Sequence, residues 1–246
     1  MAKHIPTEPT IDRSVTLHFV GDWGMANFHR ICSFLTQQLR DRAGPRSRVA
    51  IWNMRGGGLL EGIKRVYDGE VDLCIATPAK LMETALTGRG FFAGTGPMPT
   101  LRTLAVLPQR DRMMLAIDPK WQIKSFEDLR QKKPPLRIAT SVDDGTNFIG
   151  YVAMRLMEAH GISEEALTSW GGLHHGLVPI PAEKQAVSKL AAEQGVKPAS
   201  IRAGFWDTVT KKIPVIDFSD FLIIVRDDMP EDIAHLLTWC LVQKSA

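Results

Sequence analysis

Three short turns in this sequence hold residue types able to grip a small anion. In the first, Arg55-Gly56-Gly57-Gly58 sets a guanidinium beside three residues that lack a Cβ. Glycine lets backbone N–H groups approach a ligand closely, and a helix start adds the positive end of its dipole. An arginine beside them offers a planar fork of donors to a carboxylate. The same four residues also fit a tight strand-to-helix turn carrying an ordinary surface arginine. The second turn runs from Gly21 to Asn27. Its Trp23 ring either stacks on a ligand or packs into the core, and Asn27 is placed to cap a helix. In the third, Ser141 to Asn147, the residues Asp143, Asp144, Gly145 and Thr146 precede a second capping asparagine, Asn147. Two carboxylates there suit capping, or a ligand bearing an amine as well as a carboxylate. Thr77 closes a β-rich run and is either a hydroxyl donor or a plain strand-end residue. The candidate ligand-binding set is therefore Trp23, Asn27, Arg55, Gly56, Gly57, Thr77, Asp144, Gly145, Thr146 and Asn147.

Other chemistry is harder to place. Gly58 is followed by Leu59 and Leu60 rather than Lys-Ser or Lys-Thr, so the glycines are no phosphate loop. Gly21-Asp-Trp-Gly24 has the wrong glycine spacing for a dinucleotide fingerprint. His174 and His175 are adjacent and lack the chelating spacing of a helical His-x-x-x-His pair. No Gly-x-Ser-x-Gly elbow occurs. Cys32, Cys74 and Cys240 lie far apart among apolar neighbours and read as buried, inert thiols. No catalytic set, cofactor or metal is expected, and the protein reads as a binder rather than an enzyme.

The elements that must position these turns follow from hydrophobic periodicity. Short β-rich runs at 15–20, 49–52 and 71–76 alternate with helical patterns. One helix carries Phe28, Ile31, Leu35 and Leu39, and the next Leu59, Ile63 and Val66, ending at Asp68-Gly69. Strand and helix in alternation imply an α/β fold with a mostly parallel sheet. Further β-rich runs fall at 101–107, 112–117, 136–140, 177–180 and 221–225. Ser125 suits a helix start, and helices are expected at 147–159, 182–194 and from Pro230 onward. The Gly/Pro-rich stretch 88–99 reads as a surface loop.

The apolar runs 113–117 and 221–225 are each followed by an acidic residue and a proline (Asp118-Pro119; Asp227, Asp228, Pro230). Two such strands would hinge two α/β lobes: one of residues 14–112 plus 226–246, the other of 118–220. A cleft between lobes is a common ligand site.

Bulk properties set bounds. A net charge of +3 over 246 residues is small beside the one-sided basic excess of nucleic-acid binders, so no nucleic acid is expected as partner. Arg40, Arg42, Arg46, Arg48, Lys132 and Lys133 read as solvated helix ends and loops. No run approaches the roughly 18 apolar residues of a membrane span. The first thirteen positions, with Lys3, Glu8, Asp12 and Arg13, lack the apolar core of a secretory signal. Either the protein is cytoplasmic or a leader has been removed.

Four segments, in order, resemble the TAXI-type solute receptors of TRAP transporters. They are Phe19-Val-Gly-Asp-Trp-Gly-Met-Ala-Asn27; Arg55-Gly-Gly-Gly-Leu-Leu-Glu61 running on to Asp68-Gly-Glu-Val-Asp-Leu73; Ile123-Lys-Ser-Phe-Glu-Asp-Leu129 with Arg137-Ile-Ala and Asp144-Gly-Thr146; and Pro214-Val-Ile-Asp217 with Phe221 to Glu231. The second is the most specific. The resemblance implies a two-lobed, periplasmic-binding-protein-like α/β fold and a periplasmic receptor. It would deliver a small carboxylate or amino acid to TRAP membrane permease subunits. The alternatives are a cytoplasmic sensor or biosynthetic enzyme on the same fold, or the receptor of an ATP-driven importer. One departure stands out. Between Gly172 and Leu177, where the family carries a further helix and strand, only Leu173-His-His-Gly176 is present. Either the second lobe is naturally short, with only two clear strands, or a stretch of it is missing from this sequence.

Overall fold

A computed structural model describes residues 8–21, 27–53, 58–134, 147–162, 178–180, 182–207 and 209–242. The expected strand at 136–140 and the departure at 172–177 lie outside them. The chain is α/β, and it packs as two units. The first unit holds Met1–Ala76, Thr100–Leu107 and Leu222–Ala246; the second holds Thr77–Pro99 and Pro108–Phe221.

The first unit follows the sequence pattern closely. Strands β1 (Thr16–Val20), β2 (Arg48–Trp52) and β3 (Leu73–Ala76) are joined by helices α1 (Asn27–Arg42) and α2 (Gly58–Tyr67). With β4 (Leu101–Leu107) and β10 (Phe221–Arg226) they form one sheet, in the order β2-β1-β3-β10-β4. The first three strands are parallel, and β10 runs antiparallel to β3. Side chains alternate across the sheet. Val20 and Cys74 face α2, close enough that a Cβ on Gly62 would sit 3.6–3.7 Å from both. Leu17 and Phe19 are buried on the other face. Helix α1 packs on β1 and β2, and the last helix, Glu231–Val242, lies against it.

Two residues of the Asp68-to-Leu73 motif hold the fold together. Gly69 adopts φ +78°, a left-handed turn suited to glycine, beside the Arg226 guanidinium. Arg226 in turn donates to the carbonyl of Val66 at 2.8 Å. Asp72 pins β3 to β1 twice: its carboxylate accepts the His18 N–H at 2.7 Å, and its own N–H donates to the His18 carbonyl at 2.8 Å.

The second unit departs from expectation in three ways. Its described strand pairings are all antiparallel rather than mostly parallel. β5 (Arg112–Met113) pairs with β9 (Ile213–Asp217), which pairs with β8 (Lys197–Ile201), while β6 (Leu115–Ile117) pairs with β7 (Val178–Ile180). The unit is thus wider than two strands, because β8 and β9 make a hairpin. Its helices are α3 (Leu81–Thr87), α4 (Phe126–Lys132), α5 (Phe148–Ala159) and α6 (Lys184–Gln194); Glu231–Val242 is α7.

The stretch 77–99 falls in this unit, and it is no plain surface loop. Phe92 and Met98 are buried, and Phe91 meets the rings of Phe148 and Tyr151 on α5 at 5.2 and 5.1 Å. Burial of three large apolar side chains holds the segment. The boundaries between the units fall after Ala76, Pro99, Leu107 and Phe221. β5 and β6 find their partners inside the second unit, whereas β10 from Leu222 onward is held by β3.

Candidate functional site

In the first unit the chain leaves β1 toward β2 through α1, then crosses back over β1 through α2 to β3. The strand order therefore reverses at β1. In open α/β sheets the crevice beyond the carboxyl ends at such a point is where ligands bind. Gly21 stands at this rim. Its N–H donates to the Trp52 carbonyl at 3.0 Å, prolonging the ladder by one residue. A Cβ on Gly21 would lie 2.9 Å from the backbone of His29, so only glycine lets α1 start this close to the strand end. Asn27 is the first residue of α1 and is exposed.

Of the other residues expected at this rim, Trp23, Arg55, Gly56 and Gly57 lie outside the described residues. Two neighbours were missed by sequence reasoning. His29, in the first turn of α1, has an Nδ1 atom out of solvent with no hydrogen-bond partner among the described residues. A polar atom in that state calls for a partner. Trp52 closes β2 partly exposed, its ring edge-on to His18 at 5.7 Å and beneath Arg65 at 5.8 Å. The signal for both was position: one residue ends a strand and the other opens a helix.

The second unit brings two predicted residues into one neighbourhood. Thr77 is buried, and its hydroxyl donates to the Phe218 carbonyl at 2.9 Å. That bond engages the one proton of the hydroxyl and ties the end of β3 to Phe218. The Phe218 ring packs 5.7 Å from Phe148, the first residue of α5. Asn147 caps that helix, its Oδ1 accepting from the N–H groups of Ile149 at 3.0 Å and Gly150 at 3.2 Å. Asp144, Gly145 and Thr146 lie outside the described residues.

The same unit also holds a shallow polar cavity of about 580 Å³ lined by Pro108, Gln109, Arg110, Asp111 and Asp220. Asp220 has φ +66°, a conformation that aspartate tolerates better than most residues. It is clamped by Gln109, which donates its N–H to the Asp220 carboxylate at 3.3 Å and accepts the Asp220 N–H at 3.1 Å. Beneath, Arg112 pairs with Asp217 at 2.7 Å. The cavity sets the exposed Arg110 beside the carboxylates of Asp111 and Asp220.

The thiols supply no nucleophile. All three are buried, and burial pushes the Cys32 thiol up to about 12 and those of Cys74 and Cys240 upward as well. Nucleophilic cysteine needs the opposite shift. His174 and His175 lie outside the described residues.

No family model matches the chain, and no curated protein matches it. Among solved structures it is similar to PhnD1 from Prochlorococcus marinus in complex with methylphosphonate, at 10% identity and a TM-score of 0.49, covering 94% of this chain and 84% of that one. It is also similar to a TRAP periplasmic solute-binding protein from Roseobacter denitrificans with bound L-galactonate, at 12% identity and a TM-score of 0.46, over 94% and 80% of the chains. A third is the TRAP periplasmic solute-binding protein from Shewanella oneidensis with bound succinate, at 10% identity and a TM-score of 0.45, over 94% and 78%.

Proposed function

We propose that the protein is a solute receptor: it binds a small carboxylate or amino acid and turns nothing over. The observation that carries this is the strand-order reversal at β1, where Gly21 admits the start of α1 to the strand end. A helix start at a switch point gives an anion backbone donors and a favourable dipole together. Trp23, Asn27, Arg55, Gly56 and Gly57 are the residues we assign to the ligand in the first unit. Asp144, Gly145 and Thr146 are those we assign in the second. Arg55 pairs the carboxylate and Trp23 covers the ligand, while an acidic group such as Asp144 suits an amine.

Membership among TAXI-type receptors, a periplasmic location and delivery to TRAP permease subunits are the finer parts of the proposal. They rest on the four sequence segments set out above. A thermal-shift screen of organic acids and amino acids tests the core of it. A ligand present at about 100 times its dissociation constant adds about 2.7 kcal/mol to stability. No stabilisation by any carboxylate would contradict the reading.

A further inference from the structure

The β8–β9 hairpin carries a feature that the ligand site does not use. The two strands pair from Lys197↔Asp217 to Ile201↔Ile213, and the connection at 202–212 closes on itself. Gly204 donates its N–H to the Val209 carbonyl at 2.7 Å, and Val209 donates to the Trp206 carbonyl at 2.8 Å. Val209 is buried in a small core with Ile201, Ile213 and Val215, against which Met114 and Ala199 pack. The loop is therefore a built turn with an interior of its own, yet its two largest apolar side chains stay outside it. Phe205 is 54% exposed and Trp206 46%, their rings held edge-to-face at 4.6 Å.

Leaving two aromatic rings in water forgoes burial that proteins usually take. Arg202, Lys211 and Lys212 are exposed in the same connection, against a single acidic residue, Asp207. Rings of this kind settle at the boundary between lipid headgroups and acyl chains, and neighbouring cations meet anionic headgroups. A protein partner fits less well. A stable interface buries about 800 Å² on each side, far more than two rings at the end of a hairpin present.

We propose that this hairpin tip is a docking point for an anionic lipid surface, with Phe205 and Trp206 entering the headgroup boundary and Arg202, Lys211 and Lys212 meeting the phosphates. Docking is independent of the ligand reading, because it uses no residue assigned to the ligand.

Co-sedimentation of the full chain with vesicles tests it. Binding is expected to vesicles of phosphatidylcholine mixed with phosphatidylglycerol, weakening as salt rises, and not to phosphatidylcholine alone. The Phe205→Ala/Trp206→Ala and Lys211→Ala/Lys212→Ala double variants should each bind the mixed vesicles at least about tenfold more weakly. Both should keep the circular dichroism spectrum and the carboxylate response of the parent. Absence of binding to mixed vesicles, equal binding to neutral ones, or unchanged binding by the variants would overturn the proposal. So would tip-dependent self-association in sedimentation velocity without vesicles, which would assign the rings to a second copy of the chain.

Discussion

The first unit covers both faces of a sheet built around three parallel strands. The second pairs its described strands only antiparallel, and it leaves two aromatic rings in water at a hairpin tip. A strand buried on both faces has only its end left for chemistry, and in the first unit that end is the β1 rim, where we propose that the ligand binds. A hairpin has two faces and a tip, so the second unit can hold a buried core and still present apolar side chains outward.

A pair of phenylalanines and three polar residues give ways to break or sharpen this contrast. The largest effect is expected for Phe19→Ala, which empties a fully buried position between the sheet and its helices. A loss of about 3–5 kcal/mol should appear as a lower urea midpoint. A loss below about 1 kcal/mol would mean that the face is not closed.

Next comes Arg55→Ala, expected to weaken carboxylate binding by about 1.5–3 kcal/mol, the range for charge-assisted hydrogen bonds. Unchanged affinity with an intact fold would return Arg55 to the class of surface charges. In the second unit, Asn147→Ala removes the α5 cap and should cost about 1 kcal/mol of stability. A larger loss accompanied by weakened ligand binding would give Asn147 a second role.

A pH slope is expected from His160. It is buried and stacked on Phe126 at 3.5 Å, with Nδ1 2.6 Å from the Leu156 carbonyl and Nε2 accepting the Glu183 N–H at 2.9 Å. Burial holds the imidazole neutral and its pKa below the usual 6.5; the Leu156 contact opposes this in part. As pH falls below 6.5, the unfolded chain takes up this proton before the folded one does. The contribution is therefore present above that pH and lost as pH falls toward the folded value. His160→Gln should flatten stability against pH in that window, and an unchanged slope would rule the residue out. The smallest effect is expected for Phe205→Ala, whose exposed ring should matter to stability by no more than about 0.5 kcal/mol.

Much of the first unit was legible in the sequence. Period-2 and helical patterns located β1 to β3, α1 and α2 within a residue or two, because each buried face imposes its spacing on the chain. Local capping was legible too: Ser125 accepts the Asp128 N–H at 3.0 Å, as its position before a helix implies. The second unit was less so. β8 reads Lys-Pro-Ala-Ser-Ile, with one strong strand former and a proline, and only its partner β9 makes it a strand. The assignment of 77–99 depends on Phe91 meeting α5, and the polar cavity on Gln109 meeting Asp220 across 111 positions of sequence. Contacts that distant leave no local spacing to read. At the candidate site, Asn147 was legible as a cap, whereas the Thr77 hydroxyl bond to Phe218 and the His29 Nδ1, without a partner among the described residues, were not.

Isothermal calorimetry against a panel of carboxylates and amino acids, with ligand recovery measured after each titration, tests the receptor reading most directly. At least one compound should bind in the micromolar range, about −8 kcal/mol, and be recovered unchanged. Consumption of the bound compound, or no binder anywhere in the panel, would contradict it.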